Sequence, residues 1–253
     1  MKYVALILIV VVVLVLWPKS QPLLVKTNHP QPSPSLPPSV LALDFHQKTY
    51  HVYLQKISPS DSLTLIPNFA EKKSSQTLMR QNNCNYGING GFYTQGGQPL
   101  GVFYINGKFV NSQMHTQTLF NGFIYGNSNG LFGITDTEPN YRTQSLDFYF
   151  QTGPFFTPTA NLRIQIDELA RRVLIGESDQ AEFYFIAITD SENINSGPPL
   201  ADLPEIMGKI DSIKFLHLVN LDGGSASAFY NTAGEAIGEI VSIGSFLCAH
   251  RST

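Results

Sequence analysis

The run Leu218-Val219-Asn220-Leu221-Asp222-Gly223-Gly224-Ser225 ends an apolar, strand-like segment in a carboxylate, then supplies two glycines and a hydroxyl. A strand is a rigid base for an acid, and glycines let a backbone turn sharply and approach a ligand closely. An ordinary strand-to-turn Asp-Gly has the same letters. Two more polar tips carry glycines, Asn89-Gly90-Gly91-Phe92-Tyr93 and Gln151-Thr152-Gly153-Pro154. The side chains of Asn89, Thr152 and Ser225 can hydrogen-bond sugar hydroxyls or phosphate oxygens. The amides of Gly90, Gly91, Gly223 and Gly224 can line an anion nest, while Gly153 shapes its loop and Tyr93 offers a sugar a stacking face.

Arg171 and Arg172 stand side by side and would face opposite ways on a strand. A guanidinium is the natural anion holder because it stays charged and binds phosphate bidentately. A second carboxylate, Asp190, closes the apolar run Phe183–Thr189, with Glu192 close by. Alternation along Phe215–Leu221 puts Asn220 and Asp222 on one face and His217 with Val219 on the other. His217 therefore reads as a core or subsurface residue, and His115 as a surface one.

These residues need elements to position them. Leu41–Leu54 and Leu63–Ile66 read as strands, and Asn68–Asn82 has the length of a helix. Val102–Ile105 and Lys108–Val110 flank Asn106-Gly107, the signature of a tight hairpin. Phe148–Phe150 is a strand that feeds the Gln151 tip. Leu200, Leu203, Ile206, Met207 and Ile210 recur at helical spacing between the runs 183–189 and 215–221. Strand, helix, strand suggests a right-handed parallel unit, with Asp190 and Asp222 at the same carboxyl edge, where ligands of open sheets gather. The expected fold is α+β, a strand-rich mixed sheet with a few packed helices in a single domain over residues 40–253.

A net charge of −3 without a basic run argues against a nucleic-acid backbone binder. Lys2 precedes a nearly unbroken apolar run from Tyr3 to Trp17, the pattern of an export signal. No clear cleavage site follows, so residues 1–17 read either as a removed signal or as an uncleaved membrane anchor. Either way the domain is expected outside the cytoplasm, in the periplasm or an equivalent space. Seven prolines between Pro18 and Pro38 favour an extended spacer over residues 18–39. Cys84 and Cys248 are the only cysteines; pairing and two separate buried thiols are both compatible with the sequence. Asp222, Asp190 and Asn89 are oxygen ligands, but no motif calls for a metal or any other cofactor.

The tips at Asn89, Gln151 and Asp222, with Arg172-Val173-Leu174-Ile175-Gly176, resemble in order and spacing the phosphodiester glycosidase family. The resemblance runs from about Ala70 to Phe246. The family includes the catalytic domain of the lysosomal uncovering enzyme, which removes N-acetylglucosamine from a sugar phosphodiester, and exported bacterial proteins. Two departures stand out. Val173 replaces the threonine of the family's Arg-Thr-x-x-Gly pattern, and one glycine is missing before Ser225. The resemblance implies an exported hydrolase acting on a carbohydrate phosphodiester. The leaving phosphomonoester is a weak base, so a strong general acid is less needed than in ordinary glycoside hydrolysis, where two carboxylates flank the bond. Asp222 would stabilise the oxocarbenium-like state or activate water, Arg172 would hold the phosphate, and Asp190 or Glu192 would be the second carboxylate. The alternative is a non-catalytic envelope module that binds glycan or cell-wall polymer in the same cleft.

Overall fold

The computed structural model describes residues 39–251, so the expected segment 1–17 and all but the last residue of the spacer lie outside the described residues. The chain opens with β1 (Val40–Phe45), β2 (Lys48–Ile57), β3 (Ser62–Pro67), helix α1 (Ser75–Gln81) and β4 (Tyr86–Asn89). It continues through β5 (Phe103–Ile105), β6 (Lys108–Asn111), β7 (Gly122–Gly126), β8 (Phe132–Thr135) and β9 (Phe148–Thr152). Next come β10 (Phe155–Phe156), β11 (Arg172–Ser178), β12 (Phe183–Asp190) and helix α2 (Leu203–Gly208). The last strands are β13 (Phe215–Asn220), β14 (Phe229–Tyr230), β15 (Ala236–Ile237) and β16 (Ser245–His250).

These strands build three sheets, ordered β1-β2-β12-β11-β13-β10, β15-β14-β4-β16-β3 and β6-β5-β9-β7-β8. The strand-rich expectation holds, with one correction: the expected mixed sheet is absent, because every described ladder is antiparallel. The runs read as a parallel unit, β12 and β13, do not pair. β11 folds back on β12 through a short turn at Asp179–Glu182 and offers its other edge to β13. Two strands that flank one antiparallel strand run in the same direction. Asp190 and the residue after Leu221 thus still reach the same sheet edge, with the start of β11 between them.

Alternation explains the packing. Val173, Ile175, Val219 and Leu221 face a core shared by all three sheets. Leu174 and Leu218 face a second core, closed by Leu203, Ile206 and Met207 of α2. Strands buried on both faces read as continuous apolar runs, as 183–189 does. α1 covers the outer face of the second sheet with Leu78 against Phe246 and Cys248.

Two local readings change. The 41–54 run is a hairpin, since His46 and Gln47 both take positive φ, 45° and 64°, and turn the chain. The helix expected over 68–82 shrinks to Ser75–Gln81. Asn68 is the cause. Its amide donates to the Lys73 and Ile243 carbonyls and accepts from the Lys73 N–H, which holds 68–73 as a loop. Ser74 then caps the helix by accepting from the Thr77 N–H. Asn106-Gly107 forms the expected tight turn, with φ of 49° and 81°. Cys84 and Cys248 are joined by a disulfide.

Candidate functional site

The three glycine-bearing tips meet at the carboxyl end of β13. The Asn89 amide nitrogen donates to the Asp222 main-chain carbonyl at 2.7 Å, and the Asp222 N–H donates to the Gly90 carbonyl at 3.2 Å. On the other side, the Gly153 N–H and the Thr152 hydroxyl both donate to the Asn220 carbonyl, at 3.1 and 2.9 Å. The Asn220 N–H donates back to the Pro154 carbonyl at 3.0 Å, and its side-chain amide donates to the Gly153 carbonyl. Gly153 meets this arrangement at φ 148°, a backbone position that glycine occupies readily.

The Asp222 carboxyl is half-buried, and its oxygens have no hydrogen-bond partner among the described residues. Burial pushes its pKa up to about 7. Tyr93 borders it. The phenol donates to the Ser242 carbonyl, and its pKa is raised first by burial and then by the Asp222 charge.

The other predicted residues divide by what engages them. Asn89 is 1 % exposed, and its oxygen accepts from the Ala228 N–H at 2.8 Å, so its amide joins loops and is not free for a ligand. Thr152 is fully buried and acts in the same way. The Gly90 and Gly224 amides donate to the Ser245 and Arg171 carbonyls, while those of Gly91 and Gly223 have no acceptor among the described residues. The Ser225 hydroxyl is equally unengaged and exposed. Of the four glycine amides, two thus remain free, together with one hydroxyl.

Arg172 and Asp190 point to other work. The Arg172 guanidinium donates to the Pro198 carbonyl at 2.9 Å and to Asp167 at 3.3 Å, and also to the Glu168 carbonyl. Asp167 in turn accepts from the Leu200 and Ala201 amides at 2.7 Å, so this pair anchors the turn that leads into α2. Asp190 accepts from the Glu192 N–H at 2.9 Å and from Lys48 at 3.4 Å, and these contacts hold its pKa below the usual value. Two strand spacings, roughly 10 Å, separate its strand from that of Asp222. His217 pairs with Glu177 at 3.1 Å, and the His115 ring stacks on Phe120.

Three residues named in the sequence motifs hold the site in ways the sequence did not assign. Arg171, 2 % exposed, donates to the Gly224, Gly238 and Ser225 carbonyls and sets the loop after Asp222. Adjacent arginines give no signal as to which one turns inward. Asn220 shares the face of Asp222, which was a usable cue. Gln151 grips the loop before β7, donating to the His115 and Phe120 carbonyls and accepting from the His115 N–H. Its place beside Thr152 in the second tip was the available signal.

A family model described as phosphodiester glycosidase matches residues 82–242. No curated protein matches the chain. Among solved structures, it is similar to the catalytic domain of zebrafish N-acetylglucosamine-1-phosphodiester alpha-N-acetylglucosaminidase, auto-inhibited by its pro-peptide. That likeness has a TM-score of 0.60 and 14% identity over 84% of this chain and 82% of the other. A hypothetical protein from Synechocystis gives a TM-score of 0.57 at 11% identity, over 83% of this chain and 61% of that one. At these identities the likeness is one of fold.

Proposed function

Given that this chain belongs to the phosphodiester glycosidase family, we propose that it hydrolyses a sugar 1-phosphodiester at the anomeric carbon. The observation that carries the reading is the Asp222 carboxyl. It is half-buried, free of partners and shifted to about 7, beside the unengaged amides of Gly91 and Gly223. A carboxyl titrating near neutrality is matched to general base work. Water gives a proton to Asp222 as its oxygen attacks the anomeric carbon, the glycosidic C–O bond breaks, and the phosphomonoester leaves with the bonding pair. Asp222 then returns the proton to the phosphate product or to solvent.

The free amides at Gly91 and Gly223 and the Ser225 hydroxyl donate to the oxygens of the sugar. Tyr93 forms one wall for the sugar ring. Asn89, Thr152, Asn220 and Arg171 hold the three tips in register. In this reading Arg172 and Asp190 brace the sheet edge and do not touch the substrate. A metal is not required by any step. Export is part of the proposal, supported by the Lys2-led apolar run and by a disulfide of the kind that persists in oxidising compartments.

Full-length protein incubated with N-acetylglucosamine 1-(methyl phosphodiester) in oxygen-18 water tests this. Release of sugar with the label in its anomeric hydroxyl is expected, with turnover lost in Asp222→Asn. Label in the phosphate would mean P–O cleavage. Binding without turnover in either form would mean a glycan-binding module.

A further inference from the structure

With both buried arginines committed to carbonyls and a carboxylate, the substrate's phosphate needs a cation from elsewhere. A groove runs outward from Pro154, lined by Gln117, Asn121, Arg163 and Gln165. Its described lining holds one cation, Arg163, and no carboxylate. The Arg163 guanidinium has no hydrogen-bond or ion-pair partner among the described residues, and neither have the side-chain amides of Gln117 and Gln165. Pro154 stands opposite Asn220, whose N–H it accepts at 3.0 Å. Asp222 lies two residues beyond Asn220, roughly 7 Å along an extended chain.

Both banks of the groove are fastened. Leu162 packs into the core beneath α2, and Asp167 is clamped by Arg172 and by two amides. Arg163 therefore rides on a short arc pinned at each end. The opposite bank, residues 115–120, is gripped by Gln151. Two residues singled out in the sequence motifs thus hold the walls of this groove.

We propose that this groove is the leaving-group subsite and that Arg163 binds the phosphoryl oxygens there, with Gln117 and Gln165 as neutral donors. The proposal rests on the phosphodiester reading above and names where its anion sits. Charge-assisted, bidentate contact is what a free guanidinium offers a phosphate.

The test is calorimetric binding of glycerol 1-phosphate, standing in for the phosphomonoester product, to the full-length protein and to Arg163→Gln, Arg163→Lys and Arg142→Gln. Arg142 is an exposed arginine on another loop and controls for lost charge. The expected result is a Kd at least tenfold weaker for Arg163→Gln, partial recovery in Arg163→Lys, and Arg142→Gln within twofold of the native protein. With the diester as substrate, KM should rise by a similar factor while kcat stays within threefold. Arg163→Gln binding as tightly as the native protein, or no binding by the native protein, overturns the subsite. Loss of phosphate binding in Arg163→Gln from a protein that turns over no diester keeps the subsite and removes the hydrolase reading.

Discussion

The Asn89 side-chain nitrogen lies 2.7 Å from the main-chain oxygen of Asp222, although 133 residues separate them in sequence. With the Asn89 oxygen on the Ala228 N–H, this one amide fixes where β4 ends relative to the acid. Asn89→Ala leaves the Ala228 donor and the Asp222 acceptor buried without partners. It should cost about 1–3 kcal/mol, read as a lower midpoint in urea unfolding. Activity should fall further than stability alone explains, because the acid is no longer aimed.

Asp222 should make both activity and stability depend on pH. As the general base it works deprotonated, so kcat/KM should rise through about pH 7. The carboxyl keeps its proton to about 7 in the fold, against 3.8 for the free group. Between those values the folded state binds more protons, so stability decreases as pH rises, and the penalty is complete above 7. Asp222→Asn removes the penalty. It should be more stable than the native protein at pH 8 by ~2–4 kcal/mol, with little difference at pH 4, while turnover is abolished. Thermal melts across this range check the sign.

The two arginines should separate cleanly. Arg171→Ala strips donors from the carbonyls of Gly224, Gly238 and Ser225. A loss of about 2–3 kcal/mol is expected, together with a large fall in kcat as the loop after Asp222 relaxes. Arg172→Ala removes the Asp167 ion pair and the donors to the Pro198 and Glu168 carbonyls and destabilises by a similar amount, yet kcat at saturating substrate should remain within a few-fold. Paired unfolding and steady-state measurements distinguish them.

Gly90 has no room for a side chain, since a Cβ there would lie 2.1 Å from the Ser245 hydroxyl. Gly90→Ala should destabilise by ~1–3 kcal/mol through overpacking. Adding Ser245→Ala leaves the nearest atom at 3.3 Å and should restore most of the loss. A double-mutant cycle in denaturant measures the coupling.

The disulfide closes a loop between residues 164 apart. Replacing both cysteines by serine should cost roughly 2–5 kcal/mol, visible as a drop in melting temperature that reductant reproduces in the native protein.

The sequence alone determined the local pieces with strong signals. The apolar strand runs at 183–189 and 215–221, the Asn106-Gly107 turn and the three glycine tips follow from periodicity and backbone preference, which act over a few residues. It also led to the family through the order of those tips. Tertiary structure decided the rest. Strand pairing is non-local, so nothing within 183–221 reveals that the earlier β11 inserts itself between β12 and β13 and pairs antiparallel with both. Asn68 shortens a helix because its amide finds Ile243, a partner far away in sequence. Which of two neighbouring arginines turns toward the Asp222 loop depends on which loop each face of the edge meets, the carbonyls of 224–238 for Arg171 and those of Glu168 and Pro198 for Arg172, and only the assembled fold brings those loops there.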